Sequence, residues 1–279
     1  MMCSLYTWYC KELSFPLVSE YLDILLPPSL HLVDSYIDEM KVIGVECLSH
    51  IMKESGKAEL RWHGRSGVIL DALLKLTYSK HEPLLVILHP ALIQILEVLD
   101  TDSNSARSSP GENIYRSLLS DMYLEDNLAL RRSYAYSMKL YIMYMKGNIV
   151  KHLKETMKIV LNYLEDSCGS SELTRLTMLE ILSLLFETAQ PRIVKYYKET
   201  VKILLRLVVD TAVLPLESDT RNTILLKIAS LLKHVHKNNN NFVLPTLEAL
   251  TGALPEFPNH VEEGNILAST IIFLKSEIK

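Results

Sequence analysis

The sequence predicts an all-α protein, a HEAT-like α-solenoid in which antiparallel helix pairs stack as a right-handed superhelix. Three observations predict it. An 18-residue segment, IVKHLKETMKIVLNYLED from Ile149, recurs 44 residues later as IVKYYKETVKILLRLVVD from Ile193, with ten positions identical. Self-similarity at that period marks a repeat architecture. Segments of helical periodicity also begin at Asp38, Glu82, Asp126, Glu172 and Ser218, at spacings of 44, 44, 46 and 46 residues. Finally, only 9 of the 279 residues are glycine, 48% are hydrophobic and 22% charged, and no strand-like alternation is long enough to compete. Long segments rich in Leu, Ile, Lys and Glu favour helix.

The elements follow in chain order. DEMKVIGVECLSHIM from Asp38 is paired with AELRWHGRSGVILDALLKLTY from Ala58. EPLLVILHPALIQILEVL from Glu82 is followed by ENIYRSLLSDMYLED, DNLALRRSYAYSMKLYIMYM from Asp126 by the first copy of the repeated segment, and ELTRLTMLEILSLLFETA from Glu172 by the second. SDTRNTILLKIASLLKHVH from Ser218 precedes FVLPTLEALTGALPEF. An acidic or hydroxyl residue at each start is expected to cap free N–H groups and to suit the positive end of the helix dipole. Breakers fall between the helices, at Gly56, Gly147, Pro191 and Pro215, in CGSS from Cys168 and in KNNNN from Lys237. The stretch 101–111, TDSNSARSSPG, has the composition of a flexible link between repeats. The reading is one α-solenoid domain over 1–279, of about five to six helix pairs. Armadillo units would need a third helix, for which the spacing leaves no consistent room.

At 100° per residue, Ile149, Val150, Leu153, Met157, Val160, Leu161 and Leu164 fall on one side of the first repeated segment. Ile159 lies outside that stripe, and Ile203 repeats the exception. Such a widened apolar arc is expected where a helix packs both on its own partner and on the next repeat. No single pair can enclose so broad a face, so neighbouring pairs must stack.

Charge and cysteines restrict the function classes. A formal net charge of -4 with a pI near 6.2 gives no global attraction to nucleic acid or to an anionic membrane. The four cysteines, Cys3, Cys10, Cys47 and Cys168, are scattered, which fits a reducing compartment. No apolar run is read as long enough to span a bilayer, which needs roughly 18 to 20 residues, and MMCSLYTWYC lacks the pattern of a signal peptide. The expected location is cytoplasmic, with the nucleus as a second compartment.

A search for chemistry finds no GxGxxG, no phosphate-binding loop and no HExxH. HGRSG from His63 approaches a hydrolase elbow, but Val68 stands where GxSxG needs its second glycine, so a turn between helices is the reading. His234 and His236 point about 200° apart on a helix and could share a metal only if the helix ended there. No catalytic, cofactor or metal site is expected, and no small-molecule substrate. Binding surfaces are the remaining possibility. Lys151, Lys154 and Lys158 share a face, and Lys195, Lys198 and Lys202 repeat it, which makes either a solvated stripe with Glu155 and Glu199 as i,i+4 partners or a ridge for an acidic partner. Ser109, before Pro110, is a candidate phosphosite.

The segment LLPPSLHLVDSYIDEMKVIGVECLSHIMKES, Leu25 to Ser55, carries a family pattern in Leu26, Pro27, Pro28, Asp34, Lys41, Gly44 and Leu48. LRWHGRSGVILDALLKL continues it through Leu60, Arg61, Gly64, Asp71, Ala72 and Leu73. Gly44 would permit a close helix contact, and the proline pair would be tolerated in a first helical turn. The pattern resembles the Tel-two-interacting protein two family, the smallest subunit of the Triple T complex. That resemblance implies an all-helical, non-catalytic scaffold that works with two larger helical-repeat subunits as an adaptor for the Hsp90 chaperone, in the maturation and stability of phosphatidylinositol 3-kinase-related kinases. Members are generally longer ahead of the Pro-Pro pair, where this chain has only MMCSLYTWYCKELSFPLVSEYLDI: either upstream repeats are missing, or an apolar end is exposed for a partner. The alternative is an unrelated HEAT or armadillo adaptor for a peptide or protein in transport or trafficking, and an enzyme ranks third.

Overall fold

The structure is a computed structural model and describes residues 2–100, 110–166, 172–213, 217–238, 243–252, 268–269 and 271–276. Every regular element among them is helical. Three helices come first: α1 (Met2–Glu12), α2 (Leu17–Glu20) and α3 (Leu22–Val33). The spaced helices then follow, beginning with α4 (Asp38–Glu54), α5 (Lys57–Arg61), α6 (Arg65–Lys75), α7 (Glu82–Leu99) and α8 (Pro110–Leu124). After them come α9 (Leu128–Met145), α10 (Leu153–Glu165), α11 (Glu172–Thr188), α12 (Tyr197–Val213), α13 (Ser218–Asn238) and α14 (Val243–Gly252). Four of the five expected starts coincide with helix starts.

The fifth start shows how the caps work. The helix α9 begins at Leu128 because Asn127 caps it, its Oδ1 accepting from the N–H groups of Ala129 at 3.0 Å and Leu130 at 3.4 Å. Asp38 and Glu82 are first-turn residues behind the N-cap positions Ile37 and His81, neither of which makes a side-chain cap bond. The acidic residues there act on the dipole rather than as caps, which corrects the expectation.

Other boundaries differ from the sequence reading. The helix expected from Ala58 is broken at Trp62–Gly64, where His63 and Gly64 have φ of 55° and 70°. The left-handed backbone ends α5 and re-aims the chain into α6, so HGRSG is the turn between helices. Both copies of the repeated segment begin as 3-10 helix, over Lys146–His152 and Arg192–Tyr196, and become α-helical at Leu153 and Tyr197. Pro110 and Gly111 open α8, while 101–109 lie outside the described residues, as do Cys168–Ser171 and Pro215.

Pro27 and Pro28 sit in the middle of α3 rather than in its first turn. They remove the N–H groups that would bond to the carbonyls of Asp23 and Ile24, but all four residues are exposed, so water can reach those carbonyls. On the inner side the turn is held from α1: the Tyr6 hydroxyl donates to the Leu25 carbonyl at 2.7 Å, and Ser29 Oγ donates to the same oxygen at 3.1 Å.

The chain forms two compact units, one of Met1–Leu118 with Glu125–Tyr144, the other of Leu119–Leu124 with Met145–Lys279. In the first, α4 packs on α3 and α7, and α6 on α3 and α7. In the second, α10 packs on α11 and α12, and α13 on α11, α12 and α14. Helices such as α4 and α10 thus each pack on more than one neighbour, which is how a solenoid buries a face too wide for one partner. Ile159 and Ile203, the two exceptions to the apolar stripe, are accordingly buried. Val150 is half-buried and Val194 exposed, because both lie in the 3-10 lead-in rather than in the helix.

By length and mean hydropathy α7 could cross a membrane, with an 18-residue window at 1.6, which corrects the reading that no run is long enough. Its apolar side chains lie inside the first unit: Leu84, Leu85, Leu88, Leu92, Ile95 and Leu96 are fully buried against α4, α5 and α6. No other helix among the described residues passes that test.

Candidate functional site

The motif residues of the first unit build a helix junction. Gly44 faces α3 so closely that a Cβ there would lie 2.7 Å from Val33 N and 2.9 Å from Leu32 Cβ. Leu26 of α3 and Leu48 of α4 are buried. Asp34 terminates α3 as its C-cap residue and pairs with Lys75 Nζ of α6 at 3.5 Å. Lys41 donates to Asp38 at 2.7 Å, and that bond holds the Asp38 carboxyl below its ordinary range. Arg61 closes α5 and Gly64 supplies the left-handed turn. The motif therefore fixes helix packing and chain reversal rather than assembling reactive groups.

The sequence did not reveal which buried polar groups meet. Cys10 and Cys47 are free and fully buried where α1 packs on α4, and the Cys47 thiol lowers the Cys10 pKa. Lys11 and Glu46, 2.7 Å apart, set the same register outside them. His89 is buried beside Tyr141, with Nδ1 3.3 Å from the hydroxyl, and burial lowers its pKa to about 4. Arg175, 2% exposed, reaches the Asp166 carbonyl at 3.4 Å and stands 4.0 Å from the Asp210 carboxylate. Those two aspartates are equivalent positions of the repeated segment.

Among the described residues no group of His, Cys, Asp and Glu could hold a metal ion. His234 and His236 lie within α13, which continues to Asn238, so their side chains diverge. His234 instead packs on Phe186, with ring centroids 5.2 Å apart. Ser66 of the elbow-like HGRSG is buried in the first turn of α6.

Two surfaces remain. Between residues 5 and 24 the side chains of Leu5, Trp8, Tyr9, Phe15, Leu17, Tyr21 and Ile24 are exposed, Trp8 and Phe15 by 60% and 64%. The second surface lies on α10 and α12 of the second unit and on the 3-10 turns before them. All six lysines named from the sequence are exposed: Lys151, Lys154 and Lys158 along the first copy, Lys195, Lys198 and Lys202 along the second. Tyr123 of α8 lies under Lys158, whose Nζ is 4.4 Å from the ring centroid and 3.3 Å from the hydroxyl; Lys195 lies 4.8 Å over Tyr196. Neither Glu155 nor Glu199 forms an ion pair among the described residues, so the expected i,i+4 pairs are absent there. Ser109 lies outside the described residues.

Comparison with known proteins bears on both surfaces. The Tti2 family model matches residues 2–171, which takes in the whole first motif and the first lysine triplet but not the second. TELO2-interacting protein 2 of Homo sapiens is 29% identical over 212 residues, 74% of this chain and 42% of that protein, and the Rattus norvegicus protein gives the same figures. The Mus musculus protein is 28% identical over 227 residues, 79% of this chain and 44% of its own length. The chain thus spans less than half the length of these relatives. No solved structure gives a significant match.

Proposed function

Because this chain belongs to the Tti2 family, we propose that it is a non-catalytic scaffold that binds TELO2. The single observation that carries the reading is the family match over residues 2–171, joined to relatives whose own name states an interaction with TELO2. The physical character of the chain supports it. Stacked helix pairs present surfaces suited to other macromolecules.

The finer reading is that the scaffold is a subunit of the Triple T co-chaperone complex. There it would hold a larger helical-repeat partner and support Hsp90-dependent maturation of phosphatidylinositol 3-kinase-related kinases, in the cytoplasm and in the nucleus. The basis is what membership of the family implies, and the chemistry of the described residues is compatible with it.

Affinity purification of the tagged 279-residue chain from cells of its own organism tests both levels. Recovery of TELO2 is expected, and a folded, well-expressed bait that never recovers it would overturn the scaffold reading. Lower steady-state levels of the kinases on depletion are expected from the co-chaperone reading; unchanged levels would overturn that level alone.

A further inference from the structure

The helices α10 and α12, with the 3-10 turns that lead into them, carry an excess of positive charge that packing does not require. Over residues 151–165 and 192–206 the exposed charged side chains are Lys151, Lys154, Lys158, Arg192, Lys195, Lys198, Lys202 and Arg206 against Glu155, Glu165 and Glu199. That is eight basic groups against three acidic ones, in a chain whose formal net charge is -4. Within the second unit the two helices pack on one another, and Arg206 Nη1 meets Glu165 Oε1 at 2.6 Å. Lys154, Lys158, Lys195, Lys198 and Lys202 have no carboxylate within ion-pair distance among the described residues. A face with such an excess of one sign attracts a partner of the opposite sign.

We propose that the exposed faces of α10 and α12 and of the 3-10 turns that lead into them form one basic ridge that binds an extended, acidic segment of a partner protein. The proposal rests on the scaffold reading, which supplies a partner, and it adds the surface and the chemistry of the contact. Two features select a peptide over other polyanions. Glu155 and Glu199 stand among the lysines without ion pairs, and an extended peptide offers them backbone N–H donors while its own carboxylates meet the lysines. A phosphate backbone has no such donors and meets those carboxylates as repulsion. An anionic membrane would be helped by apolar side chains to insert, yet the exposed apolar residue in these two spans is Val194 alone. The rings of Tyr123 and Tyr196 hold Lys158 and Lys195 in place, so less side-chain freedom is lost on binding.

The test uses the full chain and a fluorescent peptide of alternating glutamate and serine. Its affinity is followed by anisotropy from about 50 to about 300 mM salt. Binding that weakens steadily with salt is expected. Replacing the six lysines at 151, 154, 158, 195, 198 and 202 with glutamine should weaken it by at least about tenfold. A control set, Lys53, Lys57, Lys233 and Lys237 to glutamine, should leave it unchanged, and matching circular dichroism spectra confirm that the variants fold. No binding by the native chain, or equal loss in both variant sets, would overturn the proposal. So would tighter binding of single-stranded oligothymidine, or of vesicles containing phosphatidylserine, than of the peptide. No TELO2 is present in the assay, so its outcome is separate from that of the scaffold reading.

Discussion

At the scale of single residues, Gly44 and His89 carry the sharpest consequences. Replacing Gly44 with alanine gains up to about 1 kcal/mol of helix propensity. The new methyl, however, would lie 2.7 Å from the Val33 amide nitrogen, a backbone atom that cannot rotate away. Overpacking of that kind costs typically about 1–3 kcal/mol, so Gly44→Ala should lower the urea midpoint, and a raised midpoint would show that α3 and α4 yield freely. For His89 the sign follows from its lowered pKa of about 4. The unfolded chain takes up a proton near pH 6.5 that the folded chain refuses, so the contribution is intact above pH 6.5 and is lost as pH falls from there towards 4. The effect is on the order of 3 kcal/mol. Stability measured across that window should fall less steeply for His89→Gln than for the native chain; equal slopes would place the titration elsewhere. Gly44 could be picked out in the sequence as a glycine in an otherwise continuous helical pattern. The meeting of His89 with Tyr141, or of Cys10 with Cys47, could not, because each joins residues brought together only by the stacking of helices.

At the scale of elements, period and phase were readable and ends were not. Helix starts at Asp38, Glu82, Glu172 and Ser218 follow from the apolar rhythm, which reports the buried face directly. The break at Trp62–Gly64, the 3-10 lead-ins at Lys146 and Arg192, and the proline pair inside α3 depend on local backbone geometry and on a hydroxyl reaching across from α1. Periodicity carries no information about either. The same limit applies to the lysine surface: the two triplets were visible as a repeat, whereas Tyr123 beneath Lys158 comes from another helix and leaves no mark at that spacing. Arg175 gives the test at this scale. It lies on α11 between the carbonyl at the end of α10 and the Asp210 carboxylate on α12. Arg175→Met should destabilise by about 3–5 kcal/mol, because it leaves Asp210 without its cation. Adding Asp210→Leu should recover part of the loss, a non-additivity that a double-mutant cycle reads as coupling. Additive effects would mean that the pair, 4.0 Å apart, acts independently.

At the scale of the whole molecule, each of the two units is built of helices packed on more than one neighbour. A 44-residue period, few glycines and widened apolar arcs made the fold class legible. The junction motif of Leu26 to Gly64 made the family legible, because the close contact at Gly44 and the reversal at Gly64 tolerate few alternatives. Partner choice is written in exposed side chains, which are free to vary without cost to the core. The most direct test of the scaffold account is therefore to mix the purified chain with purified TELO2 of the same organism and follow sedimentation. The account predicts a single faster species containing both proteins. Two folded proteins that sediment independently at every concentration tried would contradict it.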